Sequence, residues 1–209
     1  MNTLVISLDD GSETMPDNDK ELFGSWTQAI GTIVAAVADT PSTRLTPEQV
    51  NHLGLYGNAL QATGNGLMAD TNEFGSMNQA GNAIQAAGNT IIVGALTLSL
   101  DETVEQNLII KGNLFQATGG AVTFNEDLKE DVSMAALYAV IGDFLQVVGN
   151  ATQAYAAISD FIVDDHEELV NSVGSWIQAI GAVLSALSVT KALPSSDKEP
   201  KEEELVNYA

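Results

Sequence analysis

Large apolar residues recur along this chain at helical spacing, and the positions between them hold glycines, amides and hydroxyls more often than charges. Residues 20–38 (KELFGSWTQAIGTIVAAVA) predict a first helix, closed by a connection that Pro41 and Pro47 bracket. Thr46, Pro47 and Glu48 suit the N-cap and first two positions of a second helix over 47–69. A turn at 69–72 leads to a third over 73–98, and Asp101 opens a fourth that ends near Phe124. Runs at 127–162 and 165–191 complete six. The expected organisation is an acidic leader (1–19), a helical repeat domain (20–191) and a disordered acidic tail (192–209). In the leader, Leu4 to Leu8 suit a short strand or packed arm, too short and too free of basic residues for a secretory signal.

Within the helices one phrase repeats. GSWTQAIG at 24–31 is followed by GNALQATG at 57–64, GNAIQAAG at 81–88, GNLFQATG at 112–119, GDFLQVVG at 142–149 and GSWIQAIG at 174–181. Successive glutamines lie 33, 24, 31, 30 and 32 residues apart, too unevenly for the coils of a β-solenoid. Gly, Asn and Ala are also poor strand formers. Two glycines per copy cost a helix about 1 kcal/mol each relative to Ala, which packing has to offset.

At about 100° per residue, the two glycines and the glutamine of each copy share one narrow stripe. The close-packing set is Gly24, Gly31, Gly57, Gly64, Gly81, Gly88, Gly112, Gly119, Gly142, Gly149, Gly174 and Gly181, where a neighbouring backbone can approach. Gln28, Gln61, Gln85, Gln116, Gln146 and Gln178 then form a structural polar layer that sets register. The third, fourth and seventh positions of the copies carry the large apolar residues, among them Trp26, Ile30, Leu60, Ile84, Leu114, Phe115, Phe144, Leu145, Val148, Trp176, Ile177 and Ile180. Helical amphipathicity assigns them to the core. The small polar residue after each first glycine (Ser25, Asn58, Asn82, Asn113, Asp143, Ser175) is assigned to solvent. Turns fall midway between successive glutamines, so the expected fold is all-α, an up-down antiparallel array or bundle of about six helices. Trp occurs only in the first and last copies, which are read as either outer edges or partners that close a ring.

The recurring GNxxQAxGN phrase, carried by the six copies between residues 24 and 181, resembles an uncharacterised family of repetitive proteins from Bacillus-like bacteria. The resemblance implies a bacterial, cytoplasmic origin and no assigned activity.

Charge narrows the partners. Seven basic residues against 28 acidic ones give a formal charge of -21, which repels nucleic acid and anionic membrane surfaces. With no cysteine, disulfides and thiolate metal sites are excluded. Acidic clusters at 101–105, 126–131 and 164–168 suit helix starts and macrodipoles better than calcium. An EF-hand reading of Asp17, Asp19 and Glu21 fails, because Leu22 and Gln28 stand where the loop needs Gly and Glu. His52 and His166 read as ordinary surface or packed residues, and neither a Ser–His–Asp set, an HExxH motif nor a phosphate loop is present. The expectation is a protein without catalytic, cofactor or metal residues.

Residues 74–100 carry no charge over 27 positions and 169–190 none over 22, long enough to span a bilayer. Their many Asn, Gln, Ser and Thr residues, and the scarcity of flanking Lys and Arg, weigh toward a soluble chain. The expected function is a non-enzymatic structural or protein-interaction bundle, self-associating through the Trp-bearing terminal repeats or the Asn/Ser/Ala flank. The alternatives are a membrane-active or pore-forming bundle and an apolar-ligand carrier.

Overall fold

The computed structural model describes residues 15–41, 44–160 and 167–193. Most of the leader, the tail beyond residue 193, and Asp164, Asp165 and His166 lie outside them. Six helices follow in order: α1 (Asp17–Ala38), α2 (Pro47–Thr71), α3 (Met77–Thr97), α4 (Glu102–Asp127), α5 (Met134–Asp160) and α6 (Glu167–Ala192). Thr46 closes a capping box with Gln49 ahead of α2, and the Ser76 hydroxyl accepts from the Gln79 amide ahead of α3. The largest departure from the sequence pattern lies between α4 and α5. α4 runs on to Asp127, and α5 starts only at Met134, where the Ser133 hydroxyl accepts from the Ala136 amide.

Each helix packs on its neighbours in sequence, and α6 returns to pack on α1. No other pair of described helices brings its backbones together, so the bundle is a closed six-membered ring. Two tryptophans straddle the closing seam. Trp26 Nε1 donates to Thr190 Oγ1 at 3.0 Å, and Trp176 Nε1 donates to Thr40 Oγ1 at 3.1 Å. Between them lie the fully buried Ala29, Ala182 and Ala186.

The ring is built of three hairpins, each closed by reciprocal glycines. Gly24 faces Gly64 and Gly31 faces Gly57 between α1 and α2. Gly81 faces Gly119 and Gly88 faces Gly112 between α3 and α4; Gly142 faces Gly181 and Gly149 faces Gly174 between α5 and α6. A Cβ on any of the twelve would meet the opposing glycine's carbonyl oxygen at 2.5–3.0 Å. These contacts are backbone to backbone, so no side chain can move aside to admit a larger residue.

The expected core and surface are reversed. None of the twelve large apolar residues assigned to the core is buried; Ile30, Phe144 and Ile180 are 52%, 52% and 55% exposed. Ser25, Asn58, Asn113, Asp143 and Ser175, assigned to solvent, are buried, and Asn82 is half-buried. Among the described residues, every buried apolar side chain apart from Ile92 is alanine, and the largest side chains almost wholly withdrawn from solvent are Gln61, Asn65, Asn89 and Asn150. The amide stripe turns to the ring axis, the glycines turn to the hairpin partner, and the bulky residues are left outside or in the crevices between helices.

Candidate functional site

All six repeat glutamines are buried on the axis, with 2–4% exposure. The hydrogen bonds among these six join helices that run the same way. Gln28 Nε2 (α1) donates to Gln146 Oε1 (α5) at 2.6 Å. Gln178 Nε2 (α6) donates to Gln61 Oε1 (α2) at 2.9 Å and to Gln116 Oε1 (α4) at 3.0 Å, while its own Oε1 accepts from Gln153 Nε2 at 2.9 Å. The cause is the tilt of every Cα–Cβ bond toward its helix N-terminus, which sends the glutamines of up and down helices to opposite sides of the waist. The layer is therefore split in two.

One side of the waist opens into a cavity of about 150 Å³ to which all six helices contribute. Its floor is Gln28, Gln85 and Gln146, and its walls carry Asn78, Thr123, Ser185 and Ser188. Glu21, Asp127 and Asp143 supply carboxyls, and no Lys or Arg lines it. Asp143 is held in place: its Oδ1 accepts from Ser185 Oγ at 3.0 Å and from Gln146 Nε2 at 3.3 Å. Among the six residues that follow a first repeat glycine, it is the only acid.

At the other end of the ring, a recess of about 350 Å³ is rimmed by Glu102, Glu105, Glu167 and Glu168. Asp39, just past α1, accepts a hydrogen bond from the Ser175 hydroxyl. Removal from water pushes the Asp39 carboxyl pKa up, and hydrogen bonds from Ser175 and Asn171 pull it partly back.

The sequence reading passed over one set of residues. Asn65, Asn89 and Asn150 follow the second glycine of their copies, one helical turn beyond the glutamine. They are 1%, 0% and 1% exposed, and the Oδ1 of each has no protein partner. The closing Asn of the GNxxQAxGN phrase was the available signal. Among the described residues of the acidic clusters, only Asp127 reaches the cavity, while Glu126 pairs with Lys129 at 2.5 Å. His52 lies on the outer surface beside Tyr56, their ring centroids 6.2 Å apart. Among the described residues, no three His, Asp or Glu side chains are grouped to hold a metal ion. The axis offers amide, hydroxyl and carboxyl oxygens, a set that binds and orients polar species.

Neither a curated protein nor a solved structure matches the chain. A family model does match, over residues 19–186, and the chain thus belongs to a family of unknown function, DUF6944.

Proposed function

We propose that this protein works as a membrane-embedded helical barrel with a polar axis. One observation carries the reading. Outside the first five and last two residues of each helix, the only Asp, Glu, Lys or Arg residues are Lys111 and the inward-facing Asp143. The outer surface is thus a nearly charge-free band. The helices are 21–27 residues long. At ~1.5 Å per residue they measure about 32–40 Å, against a hydrocarbon core of about 30 Å.

Two further features support it. Residues Met134–Ser159 and Glu167–Ala192 are long and apolar enough to cross a bilayer, yet only 22% and 44% of their most apolar windows are buried in the bundle. The core helix of a water-soluble protein would bury that face. In the other helices, inward Gly, Asn and Gln dilute the average hydropathy without touching the outer face. Hydroxyls on or near the outer surface also satisfy themselves. Thr27, Thr63, Thr90, Thr97 and Thr118 each donate to the carbonyl four residues back, at 2.6–2.9 Å. Lys111 sits in the tenth position of α4, where a long stem can carry the ammonium toward the N-terminal end of that helix.

Expression followed by alkaline carbonate extraction and liposome flotation tests the proposal. The chain should stay with the membrane and float with the vesicles. A monodisperse monomer in detergent-free buffer that ignores vesicles would refute it. A defined soluble oligomer would instead favour a self-associating structural protein, whose copies cover the same apolar band. That assembly would use the Ile and Phe face, since the Asn/Ser flank is turned inside. The polar axis lends no support to an apolar-ligand carrier.

A further inference from the structure

The axial cavity is lined mostly by polar side chains, and its composition favours one kind of occupant. Its floor holds Gln85, which is 4% exposed, lines the cavity and makes no side-chain hydrogen bond. The Asn78 Oδ1 on the wall is likewise buried and without a partner. Buried amides left unpaired in a folded chain call for a ligand or ordered water. Next to them stands the anchored Asp143 carboxyl, with the hydroxyls of Ser185 and Ser188 on the same wall. The amides and hydroxyls can turn oxygens or donors inward, but the lining carries carboxyls and no Lys or Arg, so its charge and its oxygens favour a hard cation. Three carboxylates are not brought together as a strong divalent site requires, and neutral amide oxygens dominate. The volume of about 150 Å³ exceeds that of a bare ion and leaves room for waters around it.

We propose that this cavity, between Gln85 and Asp143, binds a partly hydrated monovalent metal cation. The site depends on the ring interior and not on what surrounds the ring, so it stands or falls separately from the membrane reading.

The test is thermal unfolding of the full chain, in buffer or detergent, titrated with NaCl or KCl. Choline chloride holds ionic strength constant, because its methyl-shielded ammonium cannot be ligated closely by oxygen atoms as a metal cation is. A cation that binds only the folded state raises Tm with the logarithm of its concentration. A hundred-fold increase from near a millimolar Kd should raise Tm by about 5 °C. Asp143→Asn should abolish the difference between Na⁺ or K⁺ and choline. Gln85→Leu should do the same without orphaning any hydrogen-bond partner, and it decides the matter where Asp143→Asn does not fold. Asp39→Asn, at the opposite end of the ring, should leave the increment intact. Equal Tm values in choline and sodium would overturn the proposal. So would an increment that survives Gln85→Leu, one that Asp39→Asn also removes, or saturation by micromolar Ca²⁺ with no response to monovalent ions.

Discussion

The two faces of α5 are a few ångströms apart and have opposite chemistry. Inward stand Asp143, Gln146, Asn150 and Gln153, all at most 9% exposed. Outward stand Ile141, Phe144, Tyr155 and Ile158, from 40% to 64% exposed. A helix of a soluble bundle shows the reverse. The difference teaches that cohesion here does not come from withdrawing bulky hydrocarbon from water. It comes from backbone contact at the glycine edges and from the glutamine pairs that bond across the axis.

The sharpest way to break that contrast is at the edge between the two faces. Gly149→Leu drives a side chain into the Gly174 carbonyl and the Gln178 amide, which a Cβ alone would meet at 2.7 and 2.6 Å. It should cost about 3 kcal/mol, read by chemical unfolding. The same chemistry at Gly94, where nothing lies within 4 Å, should be harmless. Gly94→Ala should stabilise by up to about 1 kcal/mol through helix propensity.

On the inner face, Gln178→Leu removes the donor to Gln61 and Gln116 and the acceptor of Gln153. The loss should be about 2–3 kcal/mol, because three buried amides lose a partner. At the end of the ring, Asp39 has a raised folded-state pKa. The native state therefore holds its proton more tightly than the unfolded chain does. Stability from this group is greatest below the ordinary carboxylate range and falls as pH rises through the folded value. Melting curves of Asp39→Asn across pH should lack that decline. On the outer face, Ile180→Asp should change intrinsic stability by about 0.5 kcal/mol or less. If the outer band meets lipid, the same substitution should sharply reduce vesicle flotation.

Much of this was legible in the chain. The phrase from Gly24 to Gly181 gave six helices, and its two glycines per copy marked the edge where helices touch. The placement of α5 erred because residues 128–133 carry mixed polar and apolar character without a Gly or Pro to mark the break. The reversal of inside and outside has a deeper cause. Periodicity tells which residues share a face, so Ile30, Phe144 and Ile180 were correctly grouped. It does not tell which medium that face meets. Assigning the bulkiest face to the core assumes that water surrounds the molecule. A polar stripe able to pair with five copies of itself removes the need for that assumption. Asn65, Asn89 and Asn150 were missed because each copy was taken to end at its second glycine, one residue short of them.

The closing seam differs from the three hairpins in lacking any glycine pair, and it holds both tryptophans of the chain. Each indole spans from one helix of the seam to the neighbourhood of the other, through Thr190 or Thr40. The emission spectrum of the unmodified protein is therefore a gauge of that one junction. Parting α1 from α6 would expose both indoles together, while loosening any other seam would leave their fluorescence unmoved.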